Sequence, residues 1–260
     1  MNIRFILILV TVFILSSCGG QKNAKEDKVE SDLKQASKTN VQLGVGYIRR
    51  GQYEVAKAKL EKAIEQDEKN IDAYTTMAFL MMQLNEMEKA EGYYLDALDI
   101  KGNDPELHNS YGTYLCRVRR IGDAVDQFKL AYTNPFYKSA YLAYANAGNC
   151  LMQEGRNAEA EKHLRKALKL QPELSSALIS MAELSVKTKK YLSARAYIQR
   201  YHAINKPSAE SLWVQVQAER ALGAKEHYHK YARAILDDFP DSEQARLVGE
   251  LARRDRIKNW

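Results

Sequence analysis

Tyr141–Leu174 reads YLAYANAGNCLMQEGRNAEAEKHLRKALKLQPEL, and its small and large residues follow a fixed order. Gly148 is small at the eighth place, Gly155 marks a break at the fifteenth, and Ala160 and Ala167 are small at the twentieth and twenty-seventh. Leu164 is large between the two alanines, and Pro172 stops the segment. Two short antiparallel helices must be written this way if they are to touch, with small residues where backbones approach and large ones where gaps are filled. The order recurs along the chain. The eighth place is Gly44, Ala78, Gly112, Gly148, Ala182 and, weakly, Val216; the twentieth is Ala56, Ala90, Ala124, Ala160 and Ala194, then Tyr228. The twenty-seventh is Ala63, Ala97, Ala131 and Ala167, then Tyr201 and Ile235. Successive positions lie 34 residues apart, except for a two-residue insertion, Ser139 and Ala140, after the third repeat.

A 34-residue period written in this way is the tetratricopeptide repeat. Six repeats are read, at 37–70, 71–104, 105–138, 141–174, 175–208 and 209–242. The expected fold is all-α, a right-handed superhelical array of six helix-turn-helix repeats in which each unit packs on its neighbours. The first repeat has Glu68 where a closing proline is common, and the sixth has lost its small positions, as a terminal repeat does. Residues 243–260 place Leu247, Val248 and Leu251 on one stripe, which predicts a short capping helix before a basic tail.

The charged fraction, 28%, is ordinary for a soluble protein, and the formal net charge is +6. That excess is small and dispersed, and it does not point to nucleic acid. At the amino terminus Phe5–Leu15 is an apolar run. Eleven residues make a helix of roughly 16 Å, short of the ~30 Å hydrocarbon layer, so the run fits the apolar segment of a secretory leader over 1–17. Leu15-Ser16-Ser17-Cys18 resembles a lipoprotein box, with a large aliphatic residue three places before the cysteine. Cleavage there would leave Cys18 lipidated, with outer-membrane lipid as one partner, and several acyl chains anchor stably where one does not. Gly19 in place of aspartate favours the outer membrane, on its periplasmic face. Residues 18–36 are polar and free of aromatics and read as a flexible tether, about 25 Å in reach.

In such repeats the second, fifth, ninth, twelfth and thirteenth places of the first helix face the concave side. In repeats one and two these include Val41, Val45, Ile48, Phe79 and Met82, apolar where solvent is expected, with Arg49 and Gln83 beside them. An exposed apolar patch of this kind marks a binding surface, and methionine suits an adaptable one. The alternative is that the preceding segment covers it. Trp213, at a fifth place, lines the groove or packs in the core.

Cys116 and Cys150 fall on first helices of successive repeats, which stack side by side. An exported protein meets a compartment that permits disulfides, so a Cys116–Cys150 bridge is expected, the alternative being two buried free thiols.

The segments QLGVGYIRRG (Gln42–Gly51), NSYGTYLC (Asn109–Cys116), NPFY (Asn134–Tyr137), AGNC (Ala147–Cys150), ARAYIQRY (Ala194–Tyr201), SLW (Ser211–Trp213) and FPDS (Phe239–Ser242) resemble those of the type IV pilus biogenesis lipoproteins of the PilF/PilW family. The resemblance covers residues 1 to about 242. It implies a pilotin, a lipoprotein that brings the pilus secretin subunit to the outer membrane and promotes its multimerisation. A second reading is a lipoprotein adaptor docking peptidoglycan enzymes at that membrane. No chemistry competes with a binding role. The glycines of Gln42–Gly51 do not match a phosphate loop, His227 and His229 lack the i, i+4 spacing of a helical metal pair, and no nucleophile motif occurs. The sequence calls for no metal, cofactor, small-molecule substrate or nucleic acid.

Overall fold

The computed structural model describes residues 19–254, with side chains from residue 25. Residues 1–18, where a leader and a lipidated Cys18 are expected, and the last six residues lie outside the described residues. Thirteen helices and no strand occur among them: α1 Gly19–Arg49, α2 Tyr53–Gln66, α3 Ile71–Gln83, α4 Met87–Ile100, α5 Pro105–Arg117, α6 Ile121–Thr133, α7 Ala140–Gln153, α8 Asn157–Leu170, α9 Ser175–Lys187, α10 Tyr191–His202, α11 Ala209–Ala221, α12 Lys225–Asp238 and α13 Glu243–Arg254. The chain divides into two compact units, one ending at Gly102 and one beginning at Asn103. In unit one α1 packs on α2 and α3, and α3 on α4. In unit two each first helix (α5, α7, α9, α11) packs on its own second helix and on the next first helix. The architecture is the all-α tetratricopeptide array that the 34-residue period implies.

The turn inside each hairpin repeats one backbone event. Gly51, Asn85, Arg119, Gly155, Lys189 and Gly223 all have positive φ, between 60° and 76°. A left-handed residue closes a helix by satisfying its last carbonyls, and glycine does so without a Cβ penalty. The start signals are side chains. Asn70 accepts from the Asp72 amide at 3.1 Å, Asp104 from Leu107 at 3.1 Å ahead of Pro105, and Ser208 forms a capping box with Ser211.

Small residues at the eighth place have a measurable reason. A Cβ built on Gly148 would lie 2.7 Å from Leu164 Cγ, and one on Gly112 would lie 2.8 Å from Phe128. Gly44 stands in the same relation to Leu60, at 2.9 Å. Repeat six inverts the sizes: Val216 is large, Ala232 replaces the large partner, and both are fully buried. There Tyr228 and Ile235 pack with Ala245, Val248 and Leu251 of α13, which covers the end of the second unit, and Trp213 packs part-buried at its edge. Across α10 and α11, Arg195 Nε donates to the buried Glu219 carboxylate at 2.8 Å.

The segment expected as a flexible tether is helical in the structure: α1 runs unbroken for 31 residues from Gly19. Its residues are mostly good helix formers, Lys34 and Glu30 pair one turn apart at 2.5 Å, and the helix propagates from a buried anchor. That anchor is Ser37, whose hydroxyl donates to Ala63 O at 2.7 Å and accepts from Asn70 at 2.8 Å.

Candidate binding surface on the first helices

The seven groove residues divide by burial. Val41, Ile48 and Met82 are 8%, 9% and 4% exposed, so they belong to the core and not to an accessible groove. The reason for the first two is register. Ser37, Val41, Gly44 and Ile48 form one i, i+4, i+7, i+11 stripe, and Ser37 and Gly44 both face α2 through Ala63 and Leu60. A stripe that carries the close-approach glycine is the stripe that must be buried. Met82 is held inside its hairpin, its sulfur accepting from the Tyr94 hydroxyl of α4 at 3.6 Å.

Phe79 is 44% exposed, Val45 is half-buried, and Arg49 and Gln83 are exposed. Val45 and Phe79 occupy the ninth place of repeats one and two, Arg49 and Gln83 the thirteenth. Because α1 and α3 pack side by side, the four residues make two equivalent rungs: an apolar rung of Val45 and Phe79 and a polar rung of Arg49 and Gln83. A phenylalanine left open to water is a standing source of hydrophobic affinity, about 1.5–3 kcal/mol when covered.

Cys116 and Cys150 are joined as a disulfide with Cα atoms 5.7 Å apart, tying α5 to α7. The NPFY corner closes the same repeat. Phe136 N–H donates to Asn134 Oδ1 at 3.0 Å. Tyr137 is buried against Ala131 and Ala143, and burial, aided by Glu106, pushes its phenol up to about 12.

The ninth and thirteenth places of repeats three and four are Thr113, Arg117, Asn149 and Gln153. Each alone reads in the sequence as a solvated helix face; only their shared places in the repeat group them. Among the described residues no group of three metal-ligating side chains is assembled, and no helix is long and apolar enough to cross a membrane.

The models of the tetratricopeptide repeat match residues 47–112 and 141–174. The type IV pilus assembly protein PilF of Pseudomonas aeruginosa is 26% identical over 245 residues, covering 93% of this chain and 96% of that protein. The chain is a homologue of the type IV pilus proteins PilF and PilW. The crystal structure of PilW, a widely conserved type IV pilus biogenesis factor, superposes with a TM-score of 0.77 at 29% identity, over 82% of this chain and 98% of that one. The Pseudomonas aeruginosa PilF structure gives 0.75 at 25% identity, over 84% and 99%. These are tetratricopeptide proteins of pilus biogenesis, a class that works through protein partners.

Proposed function

We propose that this protein is an outer-membrane lipoprotein of the type IV pilus machinery, a pilotin that binds the pilus secretin subunit, brings it to the outer membrane and promotes its multimerisation. The observation that carries the reading is the match to a type IV pilus assembly protein along nearly the whole of both chains. The lipoprotein box ending at Cys18 supplies the anchor and the periplasmic orientation. The rungs of Val45, Phe79, Arg49 and Gln83 supply the contact: the apolar pair is covered by a segment of the secretin, and the arginine and glutamine orient that segment. The protein acts as a scaffold without catalysis.

The experiment is a Phe79→Glu, Val45→Glu double variant expressed in place of the native protein. Loss of secretin multimers, with circular dichroism and anchoring unchanged, is the expected result. Normal multimer levels in the folded double variant would remove this surface from the mechanism. Cys18→Ala is expected to leave the soluble protein folded and the secretin away from the outer membrane.

A further inference from the structure

The corner after repeat three holds a phenylalanine out in water. Phe136 is 88% exposed. Its position is fixed on both sides: Pro135 precedes it, its own N–H donates to Asn134 Oδ1 at 3.0 Å, and Tyr137 behind it is buried and donates its N–H to Asn134 O at 3.1 Å. A ring held this firmly loses little freedom when something covers it.

The same edge of unit two repeats the arrangement. The connections 134–139, 171–174 and 203–208 lie along it, because α5, α7, α9 and α11 stack side by side and the last three begin where these connections end. Arg200 reaches across to Pro172 O at 2.7 Å, and Asn205 donates to Ser175 Oγ at 3.0 Å, so successive corners are neighbours. Leu170, at the end of α8, is 48% exposed and Ile204 is 43% exposed. Scattered single apolar residues are ordinary on a surface, whereas a row of them marks a contact. Beside each apolar tip stands a lysine: Lys138, Lys169 and Lys206 are exposed and have no ion-pair partner among the described residues. Glu173 is the one carboxylate within the three connections. At the opposite edge, where the hairpins turn, Arg120, Arg156 and Lys190 are held by Asp123, Glu159 and Glu161.

A single protein pocket would take one protruding ring. A line of corners, each pairing an apolar tip with an unspent cation, fits a layer of anionic headgroups over hydrocarbon, where apolar burial and charge attraction add. Lysine suits the depth of that boundary, its stem lying in the apolar zone and its ammonium reaching the phosphates.

We infer that this edge of unit two seats on an anionic phospholipid surface, with Phe136, Leu170 and Ile204 entering the headgroup boundary and Lys138, Lys169 and Lys206 meeting the phosphates. The contact goes beyond the secretin surface proposed above and lies in the other unit. A protein anchored at Cys18 meets that lipid at high effective concentration, so a weak seat suffices; this strengthening rests on the lipoprotein reading.

The test uses the exported, lipidated protein in vesicles of equal parts phosphatidylethanolamine and phosphatidylglycerol. A polarity-sensitive fluorophore is attached in turn to Phe136→Cys, Ile204→Cys and, as the control at the opposite edge, Leu192→Cys, where the leucine is 69% exposed. Flotation reports the anchor. Protein that does not float counts against the lipoprotein reading alone, and its probes are then read at saturating vesicles. The probes at residues 136 and 204 move to an apolar environment and are quenched by brominated lipid, while the probe at 192 stays in water. Lys138→Gln, Lys169→Gln and Lys206→Gln each lower the inserted-to-free ratio about fivefold, and Phe136→Ser lowers it at residue 204. The proposal is overturned if the probe at 136 stays as polar as the one at 192, if phosphatidylcholine vesicles give an equal shift, or if the shift appears only when purified secretin is added.

Discussion

The first helices of the two units use one repeat grammar and present opposite chemistry. At the ninth and thirteenth places unit one shows Val45 and Phe79 above Arg49 and Gln83, while repeats three and four show Thr113 and Asn149 above Arg117 and Gln153. Behind those faces the packing is the same device: Gly44 against Leu60 in one, Gly112 against Phe128 and Gly148 against Leu164 in the other. The difference teaches that the buried positions specify the hairpin and leave the ninth and thirteenth free to carry recognition. Unit two is also the one with a covalent tie, and it contains all five histidines.

The largest expected effect lies in the covalent tie within unit two. Removing the bridge by Cys116→Ser with Cys150→Ser releases a loop of 34 residues, worth about 3–4 kcal/mol by loop entropy. Hydrogen exchange should show that loss in α5–α8 and leave α1–α4 unchanged; equal loosening of both units would break the comparison. Next is the recognition face. Phe79→Thr, which writes the unit-two residue into unit one, should weaken the proposed secretin contact by about 1.5–3 kcal/mol with the melting temperature unchanged. Met82→Thr should instead destabilise the fold, by about 2 kcal/mol or more. Gly148→Ala forces a Cβ against Leu164 and the Ala160 carbonyl and should cost about 1–3 kcal/mol, read by urea unfolding.

Acid should act on unit two alone. His163 is half-buried against the stacked rings of Tyr132 and Tyr144, at 5.8 and 6.0 Å. Burial, helped by Lys162 and Arg156 against the opposing pull of Glu159, lowers its pKa. Burial lowers that of His202 as well, opposed by its hydrogen bond to Gln215. The unfolded chain therefore binds more protons, so stability is fully present above the ordinary histidine value of about 6.5 and falls as pH descends toward the folded values. Thermal unfolding from pH 7.5 to 5.5 should show this fall, and His163→Gln should flatten it. The smallest effect is Lys189→Gly, which relieves a left-handed lysine, φ 60°, and should stabilise by about 0.5–1 kcal/mol.

The hairpins were legible because they rest on pairs written in the chain, Gly148 with Leu164 or Gly112 with Phe128, whose spacing is set by helix geometry. The site was legible only in part. Phe79 is exposed and Val45 half-buried on the face the repeat's average implies, but Val41 and Ile48 fall on the stripe of Gly44, and Met82 is the hydrogen-bond partner of Tyr94. Burial there depends on the neighbouring helix, which a class-wide list of concave places does not encode. The helical run before Ser37 is not legible from apolarity, because low apolarity also marks disorder; its lysines, glutamates and alanines are strong helix formers, and Ser37 and Asn40 bind α2 and the turn after it.

The surface proposed to meet the secretin is tested most directly by photo-cross-linking in living cells, with benzoylphenylalanine placed in turn at residues 79, 82 and 113. Covalent capture of the secretin subunit from residue 79, and from neither of the others, is the predicted result. Capture from residue 113 with none from residue 79 would contradict it.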